Sequence, residues 1–122
     1  GIEQYDRYSK ELVFVATGTG ISPFHSIVRS YPGIKFTLYH GVCFAAEAYE
    51  RDEYDASRYF LCTSKEKSEN GIGRVTKYLG KAQIRTDALY LLCGNSNMIY
   101  DVFHILKDKG VPAENIFSEI YF

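Results

Sequence analysis

The sequence predicts an α/β fold: a three-layer sandwich with a five-stranded parallel sheet and helices on both faces. Three observations carry this. Short apolar runs suited to buried strands alternate with stretches of helical periodicity, the pattern of parallel βαβ units. In Leu12 to Phe24 and again in Leu91 to Phe103, an apolar run breaks at a glycine and restarts as an amphipathic helix. A length of 122 residues suits one domain and is expected to leave no room for a second lobe, and 46% hydrophobic with 24% charged is an ordinary balance for a globular protein.

Each element follows in order. Residues 1–10 are polar and irregular and read as a connecting segment, so the domain proper is 11–122. Glu11 to Thr17 is the first strand. Pro23 stands in the first turn of the helix that follows, where its fixed φ helps and its missing N–H costs nothing. That helix carries Phe24, Ile27 and Val28 on one face and stops at Tyr31-Pro32-Gly33. Lys35 to Val42 is the second strand. Ala45 to Tyr54 reads as a short helix with Tyr49 and Tyr54 inward, and Arg58 to Thr63 as the third strand. Ser64 to Ile72 is polar and glycine-containing, hence a loop. A short helix, Gly73 to Leu79, precedes the fourth strand, Ala88 to Cys93. Asn95 or Ser96 caps a helix through Lys109; Gly110 ends it, Pro112 follows, and Asn115 to Phe122 closes the sheet.

Composition excludes several classes of function. A net charge of −1 does not suit binding driven by phosphate neutralisation of nucleic acid. No apolar run approaches the roughly 20 residues of a membrane-spanning helix. The three cysteines, Cys43, Cys62 and Cys93, are far apart, and the three histidines show no paired ligand spacing; no metal site is expected, and a reducing, cytoplasmic compartment is. The 11 tyrosines and 8 phenylalanines belong largely to core and sheet surface, and their number does not single out a ring that stacks on a ligand.

Chemistry concentrates at the two glycine turns. A glycine at a strand's carboxyl end permits a tight turn and close backbone approach to a pyrophosphate, and the helix that follows adds its positive dipole end. Thr17 and Thr19 can add hydroxyl donors. No Gly-Lys-Ser/Thr follows, so this is not a P-loop, and Pro23 stands where G-x-G-x-x-G has its third glycine. Taken alone, the turn also serves as a plain strand-to-helix connection. Cys93 ends an apolar strand at the ligand-bearing edge, where a cysteine is either a small buried hydrophobe or a site residue; no histidine is close in sequence to make it a thiolate nucleophile.

Ala16-Thr17-Gly18-Thr19-Gly20-Ile21-Ser22-Pro23 and Cys93-Gly94-Asn95-Ser96-Asn97-Met98 together resemble the A-T-G-T-G-x-x-P and C-G-x-x-x-M turns of the ferredoxin(flavodoxin)–NADP reductase family, in its pyridine-nucleotide-binding lobe. The resemblance implies that Thr17, Gly18, Thr19, Gly20 and Pro23 lie at the pyrophosphate and nicotinamide, with Gly94, Asn95 and Met98 contributing from the second turn. Met98 by itself reads more as core than as contact. Cys93 would pack where nicotinamide meets flavin. The ending Glu119-Ile120-Tyr121-Phe122 resembles the family's terminal E-x-Y, which makes Glu119 the candidate active-site carboxylate and Tyr121, or the added Phe122, the ring that stacks on flavin. A lone carboxylate there also suits a solvated edge.

Nucleotide choice rests on Thr63-Ser64-Lys65-Glu66 and Gly73-Arg74-Val75-Thr76. The family's S/T-R-E has lysine for arginine here, which loses bidentate phosphate binding and keeps the charge. Ser64, Lys65 and Arg74 form a candidate pocket for the 2′-phosphate of NADP, and the same stretch also reads as a solvated charged loop. NAD is the other choice. The resemblance further implies FAD held by an N-terminal domain in cis, with ferredoxin or flavodoxin as electron partner. Arg7-Tyr8-Ser9 lacks the spacing of the flavin lobe's R-x-Y-S/T, so the expectation is a lobe that binds nucleotide and turns over little alone. The rival readings are an NADH-dependent reductase lobe serving an oxygenase or cytochrome, a stand-alone nucleotide-binding module, and, more distantly, a thiol enzyme built on Cys93.

Overall fold

Five parallel strands stand in the order β3-β2-β1-β4-β5: β1 is Leu12–Thr17, β2 Phe36–Val42, β3 Tyr59–Thr63, β4 Leu89–Gly94 and β5 Ile116–Ile120. The structure, a computed structural model, describes residues 11–31, 33–42, 48, 52, 54–55, 57–63 and 74–120. The expected connecting segment 1–10, most of the expected helix over 45–54 and the loop 64–72 lie outside the described residues.

Among the described residues three helices flank the sheet: α1 (Ser22–Ser30), α2 (Val75–Lys81) and α3 (Ser96–Asp108). β1 is buried almost throughout because it is central, and its two faces feed two cores. Leu12, Phe14 and Ala16 join Phe24 of α1 with Phe36, Leu38, Leu61 and Leu89 on one side. Val13 and Val15 join Val75 and Leu79 of α2 and Val102 and Leu106 of α3 on the other. Helices therefore cover both faces, as the sequence predicts, and Phe24, Ile27 and Val28 of α1 all pack inward.

The boundaries shift where local geometry intervenes. The break after β1 is a 3-10 turn, Gly18–Ile21, that runs straight into α1, with Pro23 in the first turn of that helix. α2 starts two residues later than the sequence suggests, at Val75, and reaches Lys81. A second 3-10 turn, Ala113–Asn115, fills the approach to β5, which begins at Ile116.

Candidate functional site

The strand order changes direction between β1 and β4: the chain steps from β1 outward to β3, then crosses back to the other side of β1. At such a switch point the two carboxyl ends diverge into connections on opposite faces and leave a crevice for a ligand. Both glycine turns open there, because Ala16 pairs with Cys93 across the β1–β4 ladder. One hydrogen bond ties the turns together: the Asn95 backbone N–H donates to Thr17 Oγ1 at 3.0 Å.

Glycine is required at both turns, for different reasons. Gly94 has φ +132°, and a Cβ there would collide with Thr17 Oγ1 while lying 3.1 Å from the Thr17 backbone N and O. The close approach of the two strand ends thus depends on a missing side chain. Gly18 has φ +53°, in the left-handed region, yet nothing lies within 4 Å of where its Cβ would stand. That position faces open space.

The helix starts differ in what satisfies them. Asn95 caps α3, its side-chain oxygen accepting from the backbone N–H groups of Asn97 at 2.9 Å and Met98 at 3.2 Å. At α1 the N-cap position is Ile21, which offers no side-chain cap. The start of α1 is therefore the one of these two whose N–H groups receive no acceptor from a cap side chain.

Cys93 is 1% exposed and belongs to the core cluster on the α1 face. Met98 is 8% exposed and packs in the core on the other face with Ile99 and Val102, so its side chain is accounted for by packing. Glu119 is the register partner of Cys93 in the β4–β5 ladder, which sets the two at the same level on neighbouring strands. Arg74 is exposed at the start of α2, immediately before Val75, whose Cγ1 lies 3.4 Å from where a Gly41 Cβ would stand. Since Gly41 pairs with Thr17, Arg74 comes to the same carboxyl edge of the sheet as the two turns. Ser64, Lys65, Tyr121 and Phe122 lie outside the described residues, and Thr19 and Gly20 are placed by their backbone in the 3-10 turn.

One participant escapes sequence reasoning. His40 is 2% exposed in β2, and its two ring nitrogens meet Tyr59 Oη at 2.6 Å and the Gly18 carbonyl oxygen at 2.8 Å. The available signal was its parity: Phe36, Leu38, His40 and Val42 alternate into the core, a position that demands partners of a histidine.

Cys62 is buried in the α2–α3 core, and burial pushes its thiol up to about 12, far from a reactive thiolate. A hollow of about 410 Å³ lined by Val28, Ile34, Phe36, Tyr54, Asp55 and Arg58 sits at the amino end of β2 and β3, remote from the turns. Among the described residues no group of three or more His, Cys, Asp or Glu could hold a metal ion, and no helix is long and apolar enough to cross a membrane.

Residues 14–104 match the family model of the oxidoreductase NAD-binding domain. The chain is 30% identical, over 88% of its length, to a component of the Na(+)-translocating NADH-quinone reductase of Methylococcus capsulatus, of which it spans 31%. Among solved structures, it resembles a flavohemoglobin from Malassezia yamatoensis (TM-score 0.76, 22% identity, 93% of this chain and 32% of that one). It also resembles the ferredoxin-NADP+ reductase of Plasmodium falciparum (TM-score 0.67, 19% identity, 98% of this chain and 55% of that one). At those identities the two structures speak for the fold alone, and the fold agrees with the sequence match. With both glycine turns at the switch point of a five-stranded parallel sheet, the chain belongs to the oxidoreductase NAD-binding domain family, as a pyridine-nucleotide-binding lobe of the ferredoxin–NADP reductase type.

Proposed function

We propose that this chain binds NADP(H) across the β1–β4 crevice and, within a larger flavoprotein, holds the nicotinamide against an FAD carried by another domain. The observation that carries the reading is the meeting of the two turns, joined by the Asn95 N–H to Thr17 Oγ1 bond. The open side of Gly18, at the start of the 3-10 turn that leads into α1, suits a pyrophosphate. Thr17, Gly18, Thr19, Gly20 and Pro23 form the phosphate side of this site. Gly94 and Asn95 form the other wall, and Met98 supports it from the core. Nicotinamide and flavin, when bound, supply the hydride chemistry between them. The chain's own work is binding, orientation and exclusion of water. Cys93 and its register partner Glu119 are the candidate residues beside the reacting ring, with Tyr121 or Phe122 as the flavin-facing ring.

Arg74 at the carboxyl edge, with Ser64 and Lys65, would hold the 2′-phosphate that separates NADP from NAD. The test is calorimetric titration with 2′,5′-ADP and with 5′-AMP. Preference for 2′,5′-ADP that disappears in the Lys65→Ala/Arg74→Ala double variant is the expected result. Equal or reversed affinity would replace NADP by NAD, a choice favoured by the name of the Methylococcus relative, which belongs to an NADH-quinone reductase. Absence of binding to either would overturn the nucleotide reading for the chain by itself. Ferredoxin or flavodoxin is the proposed electron partner of the larger protein; a lobe serving an oxygenase or cytochrome is the alternative.

A further inference from the structure

A carbonyl oxygen only accepts, so the contact between His40 and Gly18 fixes the direction of the whole chain of bonds. His40 Nε2–H donates to the Gly18 oxygen at 2.8 Å. In the neutral ring Nδ1 is then the acceptor, and Tyr59 O–H donates to it at 2.6 Å. Tyr59 is itself held, its ring stacked on Tyr54 with centroids 5.5 Å apart. The bond lands on the first residue of the 3-10 turn: Gly18 lies at φ +53°, a conformation that favours glycine, with nothing within 4 Å of where its Cβ would stand. In a trans peptide the C=O and the N–H point in opposite directions. A Gly18 carbonyl drawn down onto a buried histidine therefore turns the Thr19 N–H up, away from the core.

We propose that His40 is a positioning residue for the nucleotide turn: by holding the Gly18 carbonyl, it aims the Thr19 backbone N–H outward as a donor for a pyrophosphate oxygen. Tyr59 O–H complements the tautomer that the carbonyl imposes, by donating to Nδ1. The part of the claim that concerns a ligand rests on the nucleotide reading above; the part that concerns the peptide does not.

The experiment pairs a spectroscopic signature with two ligands. Imidazole nitrogen shifts in the wild-type chain should show His40 protonated at Nε2 and bare at Nδ1. His40→Leu should move the Gly18 carbonyl-carbon and Thr19 amide-nitrogen resonances and leave those of β4 in place. His40→Gln, whose amide nitrogen can donate at similar reach, should return them. In titrations, His40→Leu should weaken ADP-ribose, which carries the pyrophosphate, about tenfold, the scale of a buried acceptor losing its donor. The affinity for 5′-AMP, which lacks the pyrophosphate, should be unchanged, and His40→Gln should recover most of the loss. A proton on Nδ1, unmoved Gly18 and Thr19 resonances, or equal losses for both ligands would overturn the proposal. If the wild-type chain binds neither ligand, the nucleotide reading and the proposed phosphate contact both fall, and the resonances still decide whether His40 holds the peptide.

Discussion

A methyl group at position 94 tests the closest approach in the site. Gly94 combines φ +132° with a Cβ position already claimed by Thr17 Oγ1, whereas Gly18 has the backbone requirement without the crowding. The two alanine substitutions should therefore differ sharply. Gly18→Ala is expected to cost about 1 kcal/mol, the penalty for a left-handed non-glycine residue. Gly94→Ala should cost roughly 3 kcal/mol or more, because backbone strain and steric overlap add. Urea unfolding of both variants checks this; similar losses would mean that the β1–β4 approach is looser than described. Both glycines were legible in the sequence as turn residues. Which of them is pinned by its neighbour was not, since the collision is with a residue 77 positions away in a strand that only the fold brings alongside.

At the scale of elements, α3 shows how local and tertiary signals divide. Its start is local: Asn95 bonds the N–H groups two and three residues ahead, and a sequence search for Asn or Ser before an apolar periodicity finds it. Asn95→Ala should lower stability by about 1 kcal/mol, and Asn95→Asp should restore most of it, since either side chain can accept those bonds. Urea midpoints at constant slope would check the pair; an alanine variant as stable as wild type would remove the cap from the account. What the last residues of α3 do for α2 is not local. Lys109 Nζ donates to the carbonyl oxygens of Gly80 at 2.9 Å and Ala82 at 2.7 Å, closing the C-terminus of α2 from another helix. No pattern in the sequence announces that reach, because it depends on where two helices cross the same sheet face.

For the molecule as a whole, three weak acids, Cys62 and Tyr90 buried and Tyr39 partly buried, predict how it fails in base. Burial pushes the Cys62 thiol from 9.0 up to about 12. Burial first, then the neighbouring Tyr78, pushes the Tyr39 hydroxyl from 10.0 up to about 12, and burial does the same for Tyr90. The folded chain holds these protons more tightly than the unfolded chain, so their contribution to stability is complete below pH 9 and is lost as pH rises towards 12. Urea midpoints should be flat from neutrality to pH 8.5 as far as these groups are concerned, roughly half a unit below the lowest unfolded value, and fall steadily above it. Cys62→Val should delay the onset of that fall; the same onset with and without the thiol would exclude Cys62 as a cause.

The sequence by itself determined the fold class, all five strands within a residue or two at most ends, the cap of α3 and the two turns that carry the family resemblance. These are local properties: hydrophobic period, glycine and proline placement, and capping chemistry act over a few residues. The tertiary structure decided the strand order that brings the two turns together, the register that sets Glu119 beside Cys93, the burial of Met98 and the bond from His40 to Gly18. Each of these depends on residues far apart in the chain becoming neighbours. A histidine in an alternating strand looks the same in the sequence whether it faces solvent, a metal or a carbonyl, and only the packed sheet supplies the carbonyl.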